Sequence, residues 1–191
     1  MKIFTPFNTG ALHISWGEVV GLRREIRDLQ IDYWFSETVF TFNWWLLAIS
    51  SIVVFVVWII VLDKKRIIEI AAFGLLVGTT TFILDSIGVA LVLWSYPDRV
   101  IPILPPIAEI HKIHLPITYM IIYQYFSTWR SYLVSVVIAS FTFSFILEPL
   151  TVWLDIYKIY HWEYIYSFPL YILIGFILRA IMLKARKMER N

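Results

Sequence analysis

Residues 42–62 read FNWWLLAISSIVVFVVWIIVL, a run of 21 without a charge. About 20 apolar residues carry a helix across the hydrocarbon of a bilayer. The run ends in Asp63-Lys64-Lys65-Arg66, and a basic cluster at the end of a span marks the cytoplasmic side. Four further apolar runs follow, over residues 67–94, 110–127, 131–154 and 166–183. Composition agrees, with 60% apolar and 16% charged residues against about 45–50% and about 25% in soluble domains. The expected fold is therefore all-α, a polytopic membrane bundle of five transmembrane helices plus an N-terminal amphipathic helix. At 191 residues the chain suits one membrane domain over 1–191, with no separate soluble domain.

Residues 1–41 form the outer, interfacial region. Residues 1–12 read as a loose start, and Lys2 is followed by no continuous apolar core of the kind a signal peptide needs. From there to Phe35, Val19, Leu22, Ile26, Leu29 and Tyr33 fall three and four apart, on one helical face. Charged residues occupy the rest, so the helix is expected to lie on the membrane surface or to cap the bundle.

The second run spans 28 residues, too many for one perpendicular crossing, and is expected to tilt, break or project. Gly74 and Gly78 make a GxxxG pair that lets another helix approach. The same face continues through Thr81 and Asp85 to Gly88. Residues 96–116 hold five of the eight prolines and cannot be one regular helix. An outer loop is expected there, with the third crossing beginning near Ile110 and Lys112 snorkelling outward. Lys184, Arg186, Lys187 and Arg190 place the C-terminus inside beside the first basic loop. An even number of crossings must then follow that loop. The N-terminus is expected outside and the C-terminus in the cytoplasm.

Two acids stand in the apolar runs, Asp85 and Glu148. A charge at the bilayer centre costs about 2.5–3.5 kcal/mol on insertion scales, so each needs a partner or a use. Backward from Glu148, Ser144 and Ser140 extend a small-residue face, and Pro149 follows it. The second and fourth helices run in parallel. Asp85 lies 18 residues past Ile67 and Glu148 lies 17 past Ser131, each about 26 Å along its helix. Both acids are thus expected in the outer half of the bilayer, able to face one polar cavity. Hydrocarbon disfavours a charged carboxyl, and a like neighbour adds to the effect. A shared proton, a relay, a cation site and a general acid all suit such a pair. So does a hydrogen bond that merely joins two helices.

His114, Tyr119, Tyr123, Trp153, Tyr157 and Tyr171 are the further candidates to line that cavity. Tyrosine and tryptophan at this depth also suit an interfacial belt. Glu109, His111 and His114 resemble no established metal-ligand motif, and no metal or other cofactor is expected. There is no Walker loop, GxGxxG, HExxH or GxSxG. A net charge of +2 gives no ground for a nucleic-acid partner. With no cysteine, disulfides, thiolate metal sites and cysteine nucleophiles are excluded.

The order of landmarks carries a resemblance. The pieces are RREIRDLQIDYWFSE, DKKRIIEIAAFGLLVG, LDSIGVALVLWSYP, ITYMIIYQYFSTWRSYL, FILEPLTVWLDIYKIYHWEYIYSFPLYILIGF and the basic tail. Together they resemble an uncharacterised family of small multi-pass membrane proteins from spore-forming Firmicutes. The resemblance implies a bacterial cell membrane and carries no activity over to Asp85 or Glu148.

Three functions fit these residues. The first is a protein of the lipid bilayer that binds a lipid, a small amphiphile or a proton-coupled solute around Asp85 and Glu148. The second is a membrane enzyme using an intramembrane carboxyl as general acid on an isoprenoid or lipid, an expectation by analogy. The third is a structural or accessory subunit that docks a membrane partner subunit through its amphipathic helix and its GxxxG face.

Overall fold

The computed structural model describes residues 15–102 and 110–189. The loose start over 1–12, the prolines Pro105 and Pro106, Glu109 and the His111 side chain lie outside that description. The described residues are all-α apart from one pair of two-residue strands. Four helices are long and apolar enough to cross a membrane: Phe42–Val61, Lys64–Ala90, Trp129–Trp153 and Tyr164–Met188.

Helix α1, Trp16–Tyr33, opens on a capping box. The Glu18 amide donates to Ser15 Oγ at 3.3 Å, and the Ser15 amide donates to Glu18 at 2.6 Å. This satisfies amides at the helix start that have no intrahelical acceptor. None of α1 is buried. The expected apolar stripe is present and lies on the surface, with Trp16, Leu22, Ile26, Leu29 and Tyr33 exposed. A π turn, Trp34–Thr38, joins α1 to helix α2, Phe42–Val61. There Trp34 Nε1 donates to the Arg99 carbonyl at 2.8 Å. Asp98 accepts from Thr38 at 3.2 Å and from Asn43 at 2.6 Å. These bonds hold the Tyr96–Pro102 loop over the C-terminal end of α1 and the N-terminal end of α2.

Helix α3, Ile67–Ala90, buries Ile70, Phe73, Gly74, Val77, Thr81, Asp85 and Gly88, a single helical stripe. Helix α4, Ile110–Tyr125, runs through Pro116 and occupies the place of the third expected crossing. Its 16 residues span about 24 Å. It is the axis of the bundle: it packs on α2, α3 and α5 and supplies Leu115, Tyr119, Met120, Ile122 and Tyr123 to the core. Gly74 and Gly78 receive this helix. A Cβ at Gly74 would run into the Met120 side chain, and one at Gly78 would lie 3.7 Å from Pro116.

Helices α5, Trp129–Thr142, and α6, Glu148–Trp153, form one rod through a π turn over Phe143–Leu147. Helix α7, Tyr164–Glu189, packs against both α3 and this rod.

The second helix is shorter than its apolar run. It stops at Ala90 because Val92 turns left-handed at φ 54°. The Leu93 amide then reaches back to the Gly88 carbonyl at 2.9 Å, the Schellman ending. The ending of α6 matches it. Asp155 has φ 60°, and the Ile156 amide donates to the Thr151 carbonyl at 3.0 Å. Strands β1, Trp94–Ser95, and β2, Lys158–Ile159, leave these two corners and pair antiparallel, Trp94 opposite Ile159. The C-terminal ends of α3 and α6 are thereby tied together.

Candidate functional site

Asp85 sits one turn before the end of α3, 9% exposed. The chain leaving α3 folds back on it. Gly88 leaves room for the Trp94 ring, which a Cβ there would strike. Trp94 Nε1 donates to Asp85 Oδ1 at 3.1 Å, and the Tyr96 hydroxyl donates to the same oxygen at 2.5 Å. The other oxygen faces Lys112 Nζ at 2.7 Å, with both side chains nearly buried. Lys112 therefore does not snorkel outward; it turns into the bundle as the counter-ion of Asp85. A buried acid in hydrocarbon demands such a partner.

Glu148 is 1% exposed and sits where the rod resumes α-helix after its π turn. Its carboxyl accepts from the Tyr171 hydroxyl at 2.7 Å and from the Ser167 hydroxyl at 3.1 Å. Trp162 Nε1 donates to Ser167 at 2.9 Å. The last helix begins at Tyr164, before Ser167. Ser167 lies one turn inside and faces Glu148.

Between the two acids lies a cavity of about 50 Å³. A water takes about 10–15 Å³ by this measure, so the space suits roughly four. Asp85, Lys112, Trp94 and Tyr96 line one side, and Ser167 and Tyr171 line the side toward Glu148. The acids come from helices that α7 separates, and Glu148 stands one hydrogen bond behind the wall.

The other expected residues divide. Tyr119 is buried, and its hydroxyl lies 3.1 Å from Ser140 Oγ and donates to the Tyr171 carbonyl at 2.9 Å. It thus steadies the helix that carries Tyr171. Ser144 is buried in the π turn. His114 is half-buried on α4 and is not among the cavity-lining residues. Tyr123 is far from the cavity, eleven residues further along α4, about 16 Å. Its hydroxyl donates to Glu69 at 2.6 Å. Trp153 is 78% exposed and does not line the cavity. It is the last residue of α6.

Lys112, expected to snorkel outward, points inward instead. One signal was available: an intramembrane aspartate needs a cation, and Lys112 lies in the outer part of the third run. Among the described residues, no group of three or more His, Asp or Glu side chains is arranged to hold a metal. No protein-family model, curated protein or solved structure matches the chain.

A second hollow adjoins the first. It is a crevice of about 570 Å³ between α2, α3 and α4, with Phe55, Trp58, Gly78, Phe82 and Met120 among its walls. Lys112 lines both the crevice and the inner cavity. A small space that holds the Asp85–Lys112 pair and the two hydroxyls bound to Glu148 thus lies beside a large apolar one.

Proposed function

We propose that this is a five-crossing protein of a bacterial cell membrane, N-terminus outside, that binds a small amphiphile. The polar end of the ligand enters the cavity between Asp85–Lys112 and Glu148, and its chain lies in the crevice. The carrying observation is that Lys112 is common to both hollows. The cavity alone, at about 50 Å³, is too small for a lipid. The crevice alone offers almost no polar group. Together they match a molecule with one small polar end, and ligand sites of this kind are mostly apolar with few placed polar groups. Counting α4 as a crossing also keeps both basic ends on one side.

Native mass spectrometry of gently purified protein tests this. The wild type is expected to retain a small amphiphile. Glu148→Gln should weaken retention by about tenfold, about 1.4 kcal/mol, because it loosens the Ser167 and Tyr171 hydroxyls that line the cavity. Gly78→Leu should exclude the chain, because its side chain enters the crevice while its Cβ clears Pro116. An empty wild type, or equal retention by all three, overturns the reading. A stoichiometric partner subunit in place of a ligand would favour an accessory role.

A further inference from the structure

At the basic end of the bundle, the turn Lys64–Arg66 faces the last turns of α7 across a pocket of about 580 Å³. Four cations border it: Lys64, Lys65, Arg66 and Arg186. The acid in its wall, Glu69, is engaged by both arginines. It accepts from Arg66 Nε and Nη2, each at 3.2 Å, and from Arg186 Nη1 at 2.8 Å. Tyr123 adds the bond already described. Glu69 therefore fixes two guanidiniums at the pocket edge, and each keeps further N–H donors. Four cations against one acid leave the pocket strongly positive. Asp63, next to it in sequence, accepts from the Lys65 amide at 3.0 Å and is not a lining residue. The start of the 24-residue helix α3 adds the positive end of its dipole.

The other half of the pocket is apolar. Ile67, Ile68, Ala72 and Met182 form it, and Ile68 is 84% exposed on the bundle surface. Arginine forks match phosphate oxygens, and basic pockets at the cytoplasmic ends of membrane helices suit anionic headgroups. We infer that this pocket binds the phosphate of an anionic phospholipid, with the first part of an acyl chain against Ile67, Ile68 and Ala72. The apolar half distinguishes a lipid from a soluble phosphate. This site is separate from the amphiphile site and does not depend on it.

The test uses the full chain in bilayers of phosphatidylcholine carrying a minor fraction of phosphatidylglycerol, followed by native mass spectrometry of retained lipid. Phosphatidylglycerol should be retained in preference to phosphatidylcholine. The double variant Lys64→Gln/Lys65→Gln should weaken that retention roughly 25-fold, about fivefold per lysine. Both lysines are exposed, and the turn uses only the Lys65 backbone amide, so the variant should fold as the wild type does. Free glycerol phosphate should not displace the lipid. Equal retention of the two lipids overturns the inference, as does undiminished retention by the double variant. Displacement by glycerol phosphate would assign the pocket to a soluble phosphate instead.

Discussion

Asp85 is held on both oxygens, by Trp94 and Tyr96 on one and by Lys112 on the other. An isosteric Asp85→Asn change would leave the lysine buried beside a neutral amide. Removing one partner of a buried pair costs about 3–5 kcal/mol. Asp85→Asn is expected to lower stability in detergent unfolding by about that much. Asp85→Asn/Lys112→Met should recover most of the loss, since it removes both charges together. A single variant as stable as the wild type would show that the pair does not hold the bundle. The contrast with Glu148 is chemical. The hydroxyls of Ser167 and Tyr171 can serve a carboxyl or an amide, so Glu148→Gln probes the site with less damage to the fold.

The π turn over Phe143–Leu147 decides where Glu148 points. In a regular α-helix, a residue eight further on lies about 80° past two full turns. A π turn absorbs one extra residue, about 100° of rotation. Ser140, Ser144 and Glu148 are thereby brought onto one line, and all three are buried. The sequence spacing suggested a shared face; the π turn makes it accurate. Two changes at the lipid-facing Ile146 follow from this geometry. Deleting Ile146 restores a plain α-helix, keeps Glu148 inward and should preserve amphiphile retention. Inserting one alanine after it should swing Glu148 by about 100° toward lipid and abolish retention. Equal behaviour of the two variants would count against a role for helix phase.

At the scale of the whole molecule, α4, with 16 residues, is shorter than each of the four helices long enough to cross a membrane, and it gives the core Leu115, Tyr119, Met120, Ile122 and Tyr123. Its interior position explains why it can carry Pro116 and Lys112. Neighbouring helices, rather than lipid, meet its polar groups. If α4 crosses, the two ends of the chain lie on opposite sides. The natural chain has no cysteine, so single cysteines report cleanly. Glu25→Cys on α1 should react with an impermeant maleimide added outside, and Lys187→Cys on α7 only after the inside is opened. Labelling of both from one side would reduce the crossings to four.

The all-α class, four of the five expected spans and the basic end were legible in the sequence, because membrane crossing depends on local length and apolarity summed along one run. The GxxxG face and the inward placement of Asp85 followed from helical period alone. Tyr171 was expected at the cavity, but the pairings themselves were not legible. Lys112 is 27 residues from Asp85, and Ser167 and Tyr171 are 19 and 23 residues from Glu148. A buried charge fixes that a partner must exist, but which one depends on helix neighbours and on the left-handed corners at Val92 and Asp155. Those are tertiary decisions. They set α7 between the two acids, joined Asp85 to a lysine, and left a small cavity between the acids.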